Sequence, residues 1–185
     1  GFVSYRPVST SATRFKARAG VFFPPISLEN SQLAWTSPYS ISSSAINSWI
    51  GEELRTLGAE ITATQIMNDE QYSFTGSLYR ANDPAGSLLA WRGWTLHDRK
   101  SGLSDRLPLP PLPSIESGGS IQDQASYVEP FHELDGRTGY YAAFDWKHLD
   151  IGELKIMRYD NRADETAFDG NQYAWHTRFT SIGGG

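Results

Sequence analysis

Gln172–Ser181 reads QYAWHTRFTS, and its reading decides the fold. Taken with a period of two, Tyr173, Trp175, Thr177 and Phe179 share one face, and Gln172, Ala174, His176, Arg178 and Thr180 share the other. A strand sends successive side chains to opposite faces, so the pattern predicts a strand with an aromatic side and a wet, basic side. The aromatic side suits the core of a soluble sandwich. It suits equally the outside of a barrel whose lumen is wet.

The same alternation recurs upstream. Arg14–Phe23 sets Phe15, Ala17, Ala19 and Val21 against Arg14, Lys16 and Arg18. This basic row is either a solvated outer surface or a ladder facing a water-filled lumen or groove. Arg55–Ile66 sets Leu57, Ala59, Ile61 and Ala63 against Gly58, Glu60, Thr62 and Thr64. After the turn MNDEQ, Tyr72, Phe74, Gly76 and Leu78 oppose Ser73, Thr75, Ser77 and Tyr79. Gly139–His148 places Tyr140, Ala142, Phe144 and Trp146 on one side, and a tight LDIG turn joins it to a strand over Glu153–Asn161. Gly1–Val8 and Ser87–Asp98 are further strand candidates. The expectation is an all-β chain of about eight strands in one domain spanning 1–185, with long loops at 24–52 and 100–138.

Proline and glycine mark the breaks. Pro24-Pro25 ends the basic strand, because proline cannot donate to a ladder. Ser43 or Ser44 caps a brief helix through Ile46, Trp49, Ile50 and Leu54, with Trp49 tucked against the body. Asn82–Gly86 reads as a turn, and LPLPPLPSIESGG belongs to a long structured loop.

Composition narrows the function. A net charge of −5 and an isoelectric point near 5.3 argue against nucleic-acid binding, which needs a basic footprint. With no cysteine, disulfides, thiolate metal sites and cysteine nucleophiles are excluded. No apolar run approaches the ~20 residues of a membrane helix. The chain begins at Gly1 in strand-like sequence with no signal peptide, and both ends read as edges of a mature or partial chain. Aromatic residues reach 13 % while mean hydropathy is −0.44, a combination that suits half-buried strands with polar loops.

Motifs for chemistry are sparse. His97, His132, His148 and His176 show no zinc spacing. Asp160, Asn161, Asp164, Glu165 and Asp169 form an acidic turn that could take calcium but lacks the EF-hand order. Glu52 and Glu53 could serve as glycosidase carboxylates, yet no motif supports them. The sequence predicts no enzyme, no metal and no cofactor.

Ala17–Asn30, ARAGVFFPPISLEN, resembles the strand-then-loop signature of bacterial phosphate-selective (O/P-like) outer-membrane porins, in which a basic strand of the RxGxFxxPxxLE type runs into a long loop. Looser similarity extends through Trp35–Tyr39, Gly51–Arg55, Arg158–Arg162 and Tyr173–Phe179. The resemblance implies an antiparallel up-and-down transmembrane barrel in the bacterial outer membrane, through which anions or small solutes diffuse. Arg14, Lys16, Arg18, His176 and Arg178 would line its pore. In that reading Tyr72, Phe74, Tyr140, Phe144, Trp146, Tyr173, Trp175 and Phe179 face lipid, and the chain is expected to meet a bilayer and to form homo-oligomers. Such porins carry about sixteen strands and end in an aromatic strand, so this chain would supply part of a larger barrel. The alternative is a secreted or periplasmic β-sandwich or jelly roll that binds carbohydrate through Trp35, Tyr39, Trp91 or Trp94.

Overall fold

The computed structural model describes residues 1–29, 44–51, 54–91 and 102–185. Its centre is one seven-stranded antiparallel sheet. The strands are β1 (Phe2–Tyr5), β2 (Thr13–Phe22), β3 (Thr56–Met67), β4 (Glu70–Arg80), β7 (Gly139–His148), β8 (Gly152–Asp160) and β11 (Arg178–Gly184). Neighbours in the sheet follow chain order, β1-β2-β3-β4-β7-β8-β11, which is an up-and-down meander. The elements outside it are two-residue ribbons, β5 (Leu107–Pro108) with β6 (Tyr127–Val128) and β9 (Phe168–Asp169) with β10 (Gln172–Tyr173), together with helix α1 (Ala85–Trp91) and a π-helical turn over Asn47–Gly51. β1 and β11 are the free edges, and the sheet does not close on itself among the described residues.

The connections divide by length. At one end β3 turns into β4 through Asn68 and Asp69, with Asn68 at φ 52°, and β7 turns into β8 through residues 149–151. Residues 6–12 link β1 to β2 at that end. At the other end stand the long connections 23–55, 81–138 and 161–177, whose described parts gather into a cap. Leu88, Leu107, Leu109 and Val128 form the apolar centre of this cap, with Trp91 and Ile115 beside them.

The main core lies where the cap meets one face of the sheet. Phe22, Tyr79, Tyr141, Ala143, Met157 and Tyr159 come from the strands and pack with Ile26, Leu54 and Ala85; Ile46, Ile50, Leu89 and Phe179 lie against them. The Tyr79 ring stacks on Tyr159 at 5.2 Å, and Tyr159 on Phe179 at 4.9 Å. Tyr79 has glycine opposite it on both neighbouring strands, Gly58 and Gly139, and a Cβ at Gly139 would run into its ring at 2.7 Å. A bulky ring fits at this point because both neighbours give up their side chains.

Two stretches depart from the sequence reading. QYAWHTRFTS is not one strand: β10 ends at Tyr173 and β11 begins at Arg178. Asn161 breaks the ladder between them. Its Nδ2 donates to the Trp175 carbonyl at 2.8 Å and its Oδ1 accepts the Thr177 N–H at 2.8 Å, while the Trp175 N–H is spent on the Asp83 carbonyl at 2.9 Å. Ser87–Asp98, expected as a strand, starts as α1, where Ala85, Leu88 and Leu89 at i, i+3 and i+4 face the cores. The main sheet has seven strands instead of about eight. A second sheet packed face to face, as a sandwich requires, does not occur among the described residues, since the cap takes that place.

Candidate functional site

The two faces of the sheet reverse the usual distribution of polarity. Along β4, Ser73 and Thr75 are 7 % and 8 % exposed, while Phe74 and Leu78 between and beside them are 61 % and 63 % exposed. The register carries this reversal across the sheet. Lys16, Thr62, Thr75, Ala143 and Met157 occupy one row of the inner face, with Arg18, Glu60, Ser77 and Tyr141 in the next. On the outer face the row Phe15, Ala63, Phe74, Phe144, Ile156 and Ile182 runs unbroken from β2 to β11.

Charged groups on the inner face are held by one another. Glu60 Oε2 accepts Arg18 Nη2 at 2.7 Å and also the Tyr141 hydroxyl, although Tyr141 stands two strands away. Contact across that span requires a sheet concave toward this face. Arg18 also donates to the Phe23 carbonyl at 3.1 Å, and its guanidinium lies 4.2 Å from the Phe22 ring centre. Lys155, almost fully buried, meets Asp145 at 3.1 Å, and Lys147 pairs with Glu153. Thr62 bonds Thr75 at 2.9 Å and Thr64 bonds Ser73 at 3.0 Å, a ladder of hydroxyls between the ion pairs. The Arg18–Glu60 and Lys155–Asp145 pairs, with Thr62, Ser73 and Thr75 between them, line a polar basin of about 390 Å³ bordered by Lys16, Gln71 and Lys147. A second hollow of about 220 Å³ shares Lys16, Thr62 and Gln71 and reaches Arg14 and Arg6. Arg14 and Lys16 form no ion pair with a described residue, so the basin keeps uncompensated positive charge.

The structure therefore brings Arg14, Lys16 and Arg18 to the inner face but separates them in kind. Arg14 and Lys16 are exposed and pair with no described carboxylate, whereas Arg18 is locked in a buried pair. His176 and Arg178 do not join them. His176 Nε2 lies 2.9 Å from Asp160 at the cap end, and Arg178 stands on the outer face opposite Asp160. Tyr72, Phe74, Tyr140, Phe144 and Trp146 all share the outer face. The other three aromatics do not. Phe179 points inward onto Tyr159, Trp175 lies edge-on to Trp91 in the cap at 5.4 Å, and Tyr173 packs at a tilt against Phe168 at 4.6 Å. The break at Asn161 resets the alternation, so faces assigned from one continuous strand come out inverted. The polar partners of Arg18, namely Glu60 and Tyr141, and the neighbouring pair Asp145 and Lys155 carry no motif. Only their shared parity with Lys16 across successive strands could have pointed to them.

Of the platforms expected for sugar stacking, Trp91 is half-buried against Trp175. Trp35, Tyr39 and Trp94 lie outside the described residues, as do Glu52, Glu53 and His97.

In the acidic turn expected to suit calcium, the carboxylates are already engaged. Asp160 holds His176 and the Arg162 N–H. Asp164 is held below the usual carboxylate range by bonds from Thr166 and by Arg137. The carboxylates that do converge belong to the cap: Asp83, Glu133 and Asp135 place oxygens within 4.8 Å of one another, at a spacing that could take a cation. Backbone N–H groups satisfy them, from Leu134 to Asp83 at 2.7 Å, from Ala81 and Gly136 to Glu133, and from Arg137 to Asp135. Burial, then the charges of Glu133 and Asp135, push Asp83 up to about 6 against the lowering effect of the Leu134 bond. A carboxyl raised in the folded state keeps its proton where the unfolded chain has lost it, so stability falls as pH rises from about 4 to about 6. Asp83→Asn should remove that slope and gain on the order of 2 kcal/mol at pH 7. Thermal unfolding of both proteins between pH 4 and 7 checks this, and parallel curves would refute it.

No helix among the described residues is long and apolar enough to cross a membrane. Comparison with known protein families, curated proteins and solved structures returns no match.

Proposed function

We propose that this chain forms part of the wall of a transmembrane β-barrel in the bacterial outer membrane, through which small polar solutes, anions preferentially, diffuse past the inner face. One observation carries the reading: seven consecutive antiparallel strands bury hydroxyls and ion pairs on one face and expose an apolar face on the other. Water would penalise that face, whereas a bilayer would reward it.

The dimensions support the same reading. From Leu57 to Gln65 the outer positions of β3 run about 27 Å along the strand. Tilted by the ~40° usual in such barrels, that is roughly 21 Å of height, close to the ~25 Å apolar band expected. The band is also skewed relative to the hydrogen-bonded rows. On β2 it reaches Val21 near the cap, and around β8 it slides to Leu154, with Leu149 and Ile151 exposed in the short turn. Tilted strands crossing a flat membrane produce this skew, because each strand crossed shifts the level by about 3 Å. Tyr5, Tyr72 and Trp146 toward the short-turn margin and Tyr140 near the other match interfacial aromatics.

Unpaired edge groups are costly in lipid, so β1 and β11 call for further strands or neighbouring copies to complete a barrel. Within the lumen Arg14 and Lys16 supply the uncompensated positive charge that favours anions, while Arg18 serves the wall.

The absence of native cysteine makes the test clean. Single cysteines at residues 61 to 64, spin-labelled in vesicles, should alternate: 61 and 63 open to oxygen, and 62 and 64, which line the polar hollows, open to a water-soluble nickel chelate. Equal access of the chelate to 61 and 62 would overturn the proposal.

A further inference from the structure

The outer apolar band ends differently at its two margins. Near the short turns it meets Glu70 and His148, with Asp69 and Asp150 in the turns themselves. Toward the cap it meets three exposed arginines: Arg80 on β4, Arg158 on β8 and Arg178 on β11. Arg80 Nε donates to Thr138 at 3.0 Å and Arg158 Nη1 to Thr180 at 2.9 Å. Both hydroxyls are neutral, and none of the three arginines forms an ion pair with a described carboxylate. Asp160, in register with Arg178, is buried and committed to His176 and the Arg162 N–H.

In the ladder the three arginines stand in different rows. Arg80 is one row cap-ward of Leu78 and Tyr140, Arg178 shares the row of Tyr140 and Asp160, and Arg158 lies one row below. The skew of the band offsets this. Crossing from β4 to β8 raises the level by roughly 6 Å and crossing to β11 by roughly 9 Å, against roughly 5 Å per row. The three guanidiniums therefore fall within roughly 8 Å of one height, at the cap-side margin of the band and within reach of their flexible stems. A single-sign row at that depth is matched by phosphate, whose oxygens accept guanidinium bonds in pairs.

We infer that Arg80, Arg158 and Arg178 bind the phosphate-bearing headgroups of anionic lipids, so that the outer face is fitted to an anionic bilayer surface on its cap side. The inference rests on the bilayer reading above. It adds which margin meets the headgroups and which residues hold them. Charge complementarity and continuity with the apolar band favour lipid over a second copy, since every one of these side chains is exposed beside an uninterrupted apolar surface.

The test uses the full chain in vesicles of phosphatidylcholine with and without phosphatidylglycerol. Flotation reports insertion, and native mass spectrometry reports the headgroups retained on the extracted protein. Wild type should retain phosphatidylglycerol in preference to phosphatidylcholine. The triple variant R80Q/R158Q/R178Q should still insert, with that preference cut at least ten-fold, given about five-fold per arginine near an anionic surface. The triple lysine variant should recover part of it, and Arg106→Gln in the cap should leave it intact. Undiminished preference in the glutamine variant would overturn the inference while leaving the bilayer reading in place. Full displacement of the lipid by inorganic phosphate would reassign the row to a free anion. A changed oligomeric state with unchanged lipid retention would reassign it to a second copy. Wild type that fails to float with either vesicle would sink both readings.

Discussion

Phe144→Arg should largely abolish association of this chain with lipid vesicles. Phe144 sits mid-band on the outer face, 5.0 Å from the Phe74 ring and in register with Ile156. An arginine on the lipid face near the bilayer midplane costs about 2–4 kcal/mol, a factor of roughly 30 to 1,000 in partitioning. Thr62→Arg is the paired control. It places the same charge one face away, beside Lys16 at the rim of the polar basin, and should insert nearly as wild type does. Flotation on a density gradient measures both. The opposite result is equally informative: if Phe144→Arg gave a folded monomer needing no detergent, the apolar face would belong to water or to another protein, and the barrel reading would fail.

The second large effect lies on the inner face of the sheet. Glu60→Ala should destabilise the folded chain by about 3–5 kcal/mol, because it strands the Arg18 guanidinium in a buried setting with no carboxylate. The side chains of Arg18 and Glu60 are 13 % and 4 % exposed, and Tyr141 would lose its acceptor as well. Removing both charges has a different outcome. Arg18→Met combined with Glu60→Leu leaves no ion unpaired and should recover most of the loss, since apolar replacement of a buried pair is often neutral. Lys147–Glu153 is a useful contrast. Its lysine is 45 % exposed, so Glu153→Gln should cost less than about 1 kcal/mol. Urea unfolding in detergent micelles ranks these variants against wild type. A Glu60→Ala loss no larger than that of Glu153→Gln would show that water reaches the Arg18 site.

Much of the sheet was open to reading because strand alternation is local. β7 runs over Gly139–His148 as expected, and β2, β3, β4 and β8 begin and end within two residues of the expected bounds. Their partition into faces follows from parity alone, so adjacent positions suffice to part Phe74 from Thr75 and Lys16 from Ala17. The failures occur where a distant group overrides the local pattern. Asn161 reaches across to residues 175 and 177, interrupts the ladder and inverts the parity of Phe179 and Arg178. At Ser87–Trp91 an alternating reading competes with helical spacing, and contact of Leu88 with Leu107 and Val128 decides for the helix. Trp175 reads as a lipid-facing aromatic, but Gly86 and Trp91 supply it with a place in the cap. The site shows the same division. Lys16 and Arg14 are visible as a basic row, but Lys155 and Asp145 join Lys16, and Tyr141 reaches Glu60, only through the register of strands far apart in sequence.

From sequence alone came the all-β character, the meander-like succession of strands and the two-faced chemistry of each, because a period of two needs only neighbouring residues. Tertiary structure alone decided which face is out. Alternation is symmetric between an apolar core and an apolar exterior. The symmetry is broken where the long connections fold, and here Ile26, Leu54 and Ala85 land on the polar side, over Tyr79, Tyr141 and Tyr159. That leaves Ile61, Phe74 and Leu78 uncovered, and it turns an ambiguous pattern into a concave charged face with an apolar back.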